Sequence, residues 1–264
     1  MPYSSANGVK IWYEVKGDGP ALLLIHANPF DHDLWLYQAA HFSTWFKVVG
    51  IDIRGYGRSV KMTTPFTLKD MCEDVVGVME DLHIPRAIAM GCSVGSGIVL
   101  GLGLDHSAMF DAIVLVGGNS GASDRYKGRI EGYRANLADY HIKHMRELVA
   151  PDFSETRLGR HLLNMWVERE PRLKGEAIAQ VFAAGNSRDC TARLPEMKVP
   201  TLVINGEFDH SLSAGQLTAS RIPGAVHKIL ASTGHACCIE DPAGFDRLVT
   251  DFLKSRRLIP EITG

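Results

Sequence analysis

The sequence lacks an excess of basic charge and paired cysteines, and each absence argues against a class of function. Its 28 basic and 30 acidic residues give a formal net charge of −2, which leaves no basic surplus to neutralise nucleic-acid phosphates. The five cysteines are odd in number and scattered, without Cys-x-x-Cys spacing, so the sequence indicates neither a disulfide framework nor a zinc site. We therefore expect no nucleic-acid partner, no metal and a reducing, cytoplasmic location.

Secretion and membrane signals are also missing. The first residues contain no basic stretch followed by an apolar core, so we predict no secretion signal. The uncharged stretch from Ala87 to Leu104 approaches the length of a membrane span. Five glycines interrupt it and Pro85 precedes it, which favours a buried strand, a turn and a packed helix. We expect no membrane partner.

Short, continuous apolar runs recur along the chain, separated by helix-like or loop-rich segments. Such runs are typical of strands covered on both faces, and the alternation of strand and helix implies parallel pairing with right-handed crossovers. We predict an α/β fold with a mostly parallel central sheet of about eight strands flanked by helices. The predicted strands of this kind are Ala21–Ile25, Val48–Ile51, Ala87–Met90, Ala112–Val116, Thr201–Ile204 and Val226–Leu230.

Two segments break this alternation. Val9–Val15 alternates as a strand and Gly17–Pro20 supplies a turn, so we predict a hairpin at the start. Residues 119–195 contain no strand-like run and are typical of several helices, so we predict a helical cap inserted before the last strands. Residues 1–118 and 196–264 would then form the core domain. The helices predicted for the core are Leu34–Phe46, Leu68–Leu82, Val94–Leu104 and Pro242–Leu253.

The segment Gly91-Cys92-Ser93-Val94-Gly95 supplies a candidate nucleophile. It lies between a predicted strand and a predicted helix, which is the context that a Gly-x-Ser-x-Gly motif requires. A residue at the tip of such a sharp turn brings the residues two before and two after it close together, so both must be small. The glycines satisfy this condition around Ser93 but not around Cys92, which disfavours a cysteine nucleophile.

Asp209 and His235 are the candidate partners of this serine. A serine hydroxyl is a weak nucleophile and needs a base, normally a histidine that a carboxylate holds in one tautomer. Asp209 follows Thr201–Ile204, and His235 follows Val226–Leu230, so both lie beyond carboxyl ends of strands, where open α/β sheets bind ligands. The chain order serine, aspartate, histidine differs from the orders in other groups of serine hydrolases.

Two neighbouring residues offer alternatives. His210 is adjacent to Asp209 but comes too early for the base in this order, and Glu207 lies in the same loop as an alternative acid. A carboxylate after Ala112–Val116 would be another solution, yet Gly117-Gly118-Asn119 contains none.

Backbone donors for a developing oxyanion are expected at two places. One is the N–H of Val94, directly after the nucleophile. The other should come from the loop after Ala21–Ile25, where Asn28 is the candidate. In isolation that loop is also explained as a plain turn marked by Pro29.

These motifs together resemble the α/β-hydrolase family over essentially the whole chain. The stretch His26–Trp35 looks like the corresponding loop of small esterases, cofactor-free haloperoxidases (perhydrolases) and enol-lactone hydrolases. The resemblance implies a two-step hydrolysis through an acyl-enzyme, without metal or redox cofactor. The matching motifs are His26-Ala27-Asn28-Pro29, Asp52-Ile53-Arg54-Gly55-Tyr56-Gly57-Arg58-Ser59, Gly91-Cys92-Ser93-Val94-Gly95, Gly206-Glu207-Phe208-Asp209 and Gly234-His235.

Three residues depart from the family pattern or distinguish members within it. Ala27 replaces a usual glycine and should avoid a positive φ, and Ser96 stands where glycine is frequent. Pro29, after the expected oxyanion residue, resembles the perhydrolase arrangement and implies peracid formation as a side activity.

The substrate is expected to be a small, fairly apolar ester or lactone. Large residues of the predicted cap are candidates to line its pocket, although such residues more often pack a cap onto a core. The candidate substrate-binding residues are Pro29, Tyr133, Met165 and Trp166, and Met145 and Phe182 belong to the same class of large cap residues. His141 and His144 share a helix face but lack a third metal ligand, so we expect surface or packing roles for them.

Two other functions use the same residues. A carbon–carbon bond hydrolase of a diketone-like substrate needs the same serine, histidine and aspartate. Some proteins of this fold act as ligand receptors or signalling partners while keeping these residues, and the fold alone does not separate the three functions.

Overall fold

Eight strands of the chain join one sheet. The computed structural model describes residues 2–123 and 125–260, so residues 1, 124 and 261–264 of the predicted domain ranges lie outside the described part. The strands are β1 (Tyr3–Ser4), β2 (Ile11–Lys16), β3 (Ala21–Ile25), β4 (Lys47–Ile51), β5 (Ala87–Cys92), β6 (Phe110–Val116), β7 (Thr201–Gly206) and β8 (Val226–Leu230). Their order in the sheet is β1-β2-β4-β3-β5-β6-β7-β8. From β4 to β8 every neighbouring pair is parallel, which confirms the predicted fold class.

The prediction of a hairpin at the start is wrong, because β2 does not pair with β3, the strand that follows the turn. β2 pairs antiparallel with β1 and with β4, so the turn at Gly17–Pro20 leads away from β2 and β4 separates β2 from β3. The reason lies in the burial that each strand needs. All five residues of β3 are buried, which requires a central position, whereas β2 ends in exposed residues and tolerates a place near the edge.

Both faces of the sheet are covered by helices, as continuous apolar strands require. Alternate residues of β3 divide between the two resulting cores: Leu23 and Ile25 belong to one, and Leu22 and Leu24 to the other. The helices of the sheet region are α1 (Leu36–Phe42), α2 (Leu68–Asp81), α3 (Val94–Asp105), α8 (Leu212–Arg221), α9 (Cys237–Glu240) and α10 (Pro242–Ser255). α2 and α3 contribute to the first core, and α1 and α10 to the second.

The described residues between β6 and β7 form four further α-helices, α4 (Arg125–Ala135), α5 (Leu137–Glu147), α6 (Arg157–Val167) and α7 (Gly175–Gly185). We call residues 119–195 the helical segment; their separation from the core as a cap stays a prediction. Buried contacts join the segment to loops at the carboxyl ends of the strands, as when Trp166 Nε1 donates to Asp31 Oδ1 at 3.0 Å. No helix of the described residues is both long and apolar enough to cross a bilayer.

The turn from β5 to α3 brings three backbone segments together. A Cβ added at Gly91 would lie 2.2 Å from the carbonyl oxygen of Gly95, and a Cβ added at Gly95 would lie 2.3 Å from the carbonyl oxygen of Ile25 at the end of β3. Neither position has room for a side chain. The backbone around Ser93 therefore requires glycine at both positions, in agreement with the preference for Ser93 over Cys92.

Replacing Gly95 by alanine should destabilise the fold, because the added methyl group meets backbone rather than a movable side chain. We expect Gly95→Ala to lower the free energy of unfolding by about 2–3 kcal/mol. The matched control is Gly97→Ala, two residues further along α3, where the nearest atom would be a Leu68 methyl carbon at 3.8 Å. Urea denaturation monitored by circular dichroism measures both. Equal midpoints for the two variants would contradict the steric argument.

Candidate active site

Ser93 occupies a strained backbone conformation at the carboxyl end of β5. Its φ is 56° and its ψ is −115°, a left-handed region that costs a non-glycine residue free energy and is frequent at functional positions. The turn is fixed from both sides, since the Ser93 N–H donates to the carbonyl oxygen of Val116 at 2.8 Å and its carbonyl accepts from Gly97 N–H at 3.0 Å.

The structure brings His235 and Asp209 into direct contact. The Nδ1 of His235 lies 2.8 Å from Oδ1 of Asp209, and both residues are buried. Ser211 N–H donates to the same carboxylate oxygen at 2.8 Å, and Asn205 Nδ2 donates to the other oxygen at 2.8 Å. This network fixes the carboxylate and favours the tautomer in which His235 Nδ1 carries the proton.

Gly117 allows the histidine to approach the turn of Ser93. A Cβ on Gly117, whose φ is +57°, would lie 2.7 Å from His235 Nδ1. The carbonyl oxygen of the preceding residue, Val116, accepts the hydrogen bond from the Ser93 N–H. Ser93 therefore contacts Val116 while His235 lies against Gly117, and these two residues are consecutive at the end of β6. Both also line one cavity. The Nε2 of His235 is buried and makes no hydrogen bond to the described residues.

Charge and hydrogen bonding keep Asp209 ionised. Burial alone would raise its pKa, but the charge of His235 and hydrogen bonds from His235, Ser211 and Asn205 outweigh it and hold the pKa of Asp209 well below its usual value. An ionised carboxylate at this position stabilises an imidazolium that forms when His235 accepts a proton.

The alternatives considered for the base, the acid and the nucleophile occupy other positions. The His210 ring stacks on the His235 ring, with centroids 4.4 Å apart, and the side chain of Glu207 accepts from the Ser232 N–H at 2.9 Å. The Cys92 thiol is buried and lies 3.8 Å from the His235 carbonyl oxygen; burial raises its pKa well above the usual range.

The loop after β3 places Asn28 in the same cavity as Ser93. The Asn28 N–H makes no hydrogen bond among the described residues, and the N–H of Val94 lies in the first turn of α3, where backbone donors have no partner within the helix. Ala27 is not among the described residues with positive φ, so its side chain causes no backbone strain. Ser96 is buried, and its Oγ would lie 1.9 Å from a Cβ on Gly118.

A cavity of about 490 Å³ contains Ser93 and His235. Apolar side chains from the helical segment, Leu148 and Phe182, form part of its wall, and α4 contributes Arg125 and Arg129. Of the large residues considered for the pocket, Phe182 reaches this cavity.

The four candidate substrate-binding residues do not line this cavity. Pro29 and Trp166 line a separate, smaller cavity of about 80 Å³. Tyr133 is buried behind the wall, where its hydroxyl lies 2.8 Å from His144 Nδ1. Met165 packs against the core that contains α1 and α10. The sequence shows that these residues are large, but it does not show which side of each helix faces Ser93.

His141 and His144 are both buried and engaged in separate contacts. His141 Nε2 lies 3.3 Å from the carbonyl oxygen of Pro29, while His144 contacts the Tyr133 hydroxyl. Burial lowers the pKa of His141 to about 4, which favours the neutral ring. These contacts agree with packing roles rather than surface positions.

Among the residues that the structure describes, two groups of side chains have ligand atoms close enough for a metal ion. Within each group the atoms lie within 4.8 Å of one another. The groups are Asp209, His210 and His235, and Glu14, His32 and Asp33. In the first group, Asp209 and His235 already contact each other directly, so a metal would compete with that contact.

Glu240 joins the loop of His235 to the helical segment. Its Oε1 accepts from the Gly234 N–H at 2.8 Å and its Oε2 accepts from the Ala150 N–H at 2.7 Å. Beside it, the Ala236 N–H donates to the carbonyl oxygen of Leu148 at 2.7 Å. No sequence pattern indicates this contact, because Ala150 is remote from Gly234 along the chain.

Comparison with known proteins agrees with this geometry. The chain matches the family model of the alpha/beta hydrolase fold over residues 20–242, and it therefore belongs to the α/β-hydrolase fold family, as the motifs predicted. It is 25% identical to 3-oxoadipate enol-lactonase 1 of Acinetobacter baylyi, over 96% of both chains.

Solved structures give the same result. The enol-lactonase from Burkholderia xenovorans LB400 is 27% identical with a TM-score of 0.89, over 96% of this chain and 100% of that one. Est816, described as an N-acyl homoserine lactone degrading enzyme, is 25% identical with a TM-score of 0.83, over 95% of this chain and 100% of that one. These similarities identify a hydrolase that acts on ester bonds.

Removing the Asp209 carboxylate should lower the turnover number without changing the shape of the site. We expect Asp209→Asn to lower kcat for 4-nitrophenyl acetate about 10³–10⁴-fold, because His235 loses the group that selects its tautomer and stabilises its charge. Glu207→Gln, in the same loop, is the matched control and should keep nearly full turnover. A larger loss in the Glu207 variant would make Glu207 the acid instead.

Glu240 should make stability depend on pH. Burial raises its pKa to about 7, although hydrogen bonds from Ala150 and Gly234 and the charge of His235 oppose this. Because the folded pKa exceeds the ordinary value of 4.5, the stability that Glu240 contributes is complete below about pH 4.5 and is lost as the pH rises through about 7.

We therefore expect the difference in unfolding free energy between the protein and Glu240→Gln to shrink by on the order of 1–3 kcal/mol between about pH 5 and about pH 8. Urea denaturation at both pH values measures it. Glu131→Gln, an exposed carboxylate on α4, is the control and should give a constant difference. A difference for Glu240→Gln that grows with pH would have the opposite sign and refute the assignment.

Proposed function

We propose that the protein hydrolyses small carboxylic esters or lactones through an acyl-enzyme on Ser93. The observation that carries this proposal is the contact between His235 and Asp209 at Gly117, beside the strained turn that presents Ser93. A buried imidazole whose Nε2 has no partner, with a carboxylate on its other nitrogen, is suited to act as a general base.

In the first step, His235 Nε2 takes the proton of the Ser93 hydroxyl while the serine oxygen attacks the carbonyl carbon. The resulting oxyanion accepts hydrogen bonds from the N–H groups of Asn28 and Val94. When the tetrahedral intermediate collapses, the ester oxygen leaves with the proton from His235 and the acyl group stays on Ser93.

In the second step, His235 takes a proton from water, which attacks the acyl-enzyme. Collapse of the second tetrahedral intermediate returns the proton to Ser93 and releases the carboxylic acid. With a lactone, the leaving alcohol remains part of the acyl chain, so a hydroxy acid, or its keto tautomer in the case of an enol-lactone, is released. No step requires a metal or a redox cofactor.

The size of the cavity and the names of the relatives support the substrate class. A volume of about 490 Å³ is at the lower end of the range typical of small-molecule sites. Two relatives over nearly the full chain are named as enol-lactonases and a third as a lactone-degrading enzyme, which favours lactones among the esters. The substrate was expected to be fairly apolar. Leu148 and Phe182 match that expectation, but much of the remaining lining is polar.

We further propose that the protein acts in the cytoplasm on a small-molecule substrate, without a nucleic-acid or membrane partner. All five cysteines are free and buried, as is usual in a reducing compartment.

Replacing Ser93 tests the proposal directly. We expect Ser93→Ala to lower kcat for 4-nitrophenyl acetate by about 10⁶-fold and to abolish labelling by a fluorophosphonate. Cys92→Ala, which removes the neighbouring nucleophile, is the matched control and should keep turnover and labelling.

Other outcomes would replace the proposal. Turnover that survives in Ser93→Ala would exclude Ser93 as the nucleophile. Stoichiometric labelling of Ser93 with almost no turnover of any ester or lactone would favour a ligand receptor. Turnover confined to a diketone would favour the carbon–carbon bond hydrolase.

A further inference from the structure

The cavity beside Ser93 carries an unequal distribution of charge. Arg125 and Arg129 lie one turn apart on α4 and both line the cavity. Among the described residues that line it, Asp189 is the single carboxylate. Asp189 is exposed, and its Oδ1 accepts from the Thr191 N–H at 2.8 Å. The α4 side of the cavity is therefore positively charged.

Arg125 has no carboxylate partner among the described residues. Its Nη1 donates to the carbonyl oxygen of His210 at 3.3 Å, and the His210 ring stacks on that of His235. A guanidinium has five N–H donors, so this contact leaves most of them available. Arg125 is thus held close to the proposed base while keeping its capacity to bind an anion.

Arg129 is fixed in the wall by a different contact. Its Nη1 lies 2.6 Å from Oε2 of Glu147 on α5, and its side chain is 16% exposed. This ion pair holds the guanidinium in place but leaves donors on its other nitrogens. Leu148 and Phe182 add apolar side chains to the lining, so the cavity combines cationic and apolar groups.

We propose that the substrate carries a free carboxylate, which Arg125 and Arg129 bind while its ester or lactone carbonyl lies at Ser93. The planar fork of a guanidinium matches a carboxylate in shape and charge. The apolar side chains of Leu148 and Phe182 would accommodate the carbon chain between the two groups. This inference rests on the proposed function of Ser93, and it replaces a fairly apolar substrate with an amphiphilic, anionic one.

The test compares esters that differ in one carboxylate. The first pair is the mono-4-nitrophenyl ester of adipic acid and 4-nitrophenyl hexanoate; adipate is used because shorter dicarboxylates attack their own aryl esters efficiently. The second pair, 3-acetoxybenzoate and phenyl acetate, places the carboxylate on the leaving group. The quantity measured is the ratio of kcat/KM for the anionic ester to that for the neutral ester.

We expect the unchanged protein to favour the anionic ester, and Arg125→Gln to lower the ratio about tenfold in at least one pair. Lys127→Gln removes the same charge from an exposed position on the same helix that does not line the cavity, and it should leave both ratios unchanged. Added salt should lower the ratio that the unchanged protein gives, because it screens a partly exposed charge.

The failure of this inference is distinguishable from failure of the proposed function. If Arg125→Gln lowers neither ratio, or Lys127→Gln lowers a ratio as much, the carboxylate site is refuted while hydrolysis at Ser93 stands. If no ester is turned over, or turnover survives in Ser93→Ala, both are refuted.

Discussion

The close approach of three backbone segments at the β5–α3 turn is the constraint on which the site depends. Gly91 meets Gly95, and Gly95 meets the carbonyl oxygen of Ile25, at distances that leave no room for a Cβ. β3 and β5 are hydrogen-bonded neighbours at the centre of the sheet. The position of the turn is therefore set by two fully buried strands. Ser93 is thereby held in a strained conformation that an isolated turn would not maintain.

The helical segment contacts the loop of His235 as well as lining the cavity. Backbone atoms of Val149 lie so close to Gly234 that a Cβ there would be 2.5 Å from the Val149 carbonyl carbon. The Ala236 N–H donates to Leu148, and Glu240 bridges the two chain segments. The residues flanking His235 are thus fixed by the same segment that contributes Leu148 and Phe182 to the cavity, which couples the position of the proposed base to the shape of the cavity.

The sequence predicted the parts of the molecule that depend on local pattern. Continuous apolar runs located the parallel strands, and small residues at fixed spacing identified the turn at Ser93. The prediction of a hairpin failed because strand pairing depends on which strand must be buried at the centre of the sheet. The candidate pocket residues Tyr133 and Met165 were chosen by size, but the direction in which a helix faces its neighbours is set by packing that the sequence does not display. The sequence does not indicate the role of Gly117, because the space that it leaves for His235 exists only when distant strands lie side by side in the sheet.

The proposed carboxylate site lies on α4, whereas other parts of the helical segment contact the loops of the proposed catalytic groups. On one side, Asp31 of the loop that contains Asn28 accepts hydrogen bonds from Trp166 and Arg169, which ties α6 to the proposed oxyanion site. On the other, Glu240 ties the end of α5 to the loop of His235. A change in either contact would disturb the proposed catalytic groups themselves. α4 packs mainly against α7 and α5 within the helical segment, and its Arg125 contacts the loop of Asp209 through the carbonyl oxygen of His210 at 3.3 Å. We therefore expect changes at the cavity-facing residues of α4 to disturb the proposed catalytic groups less than changes at the Asp31 or Glu240 contacts.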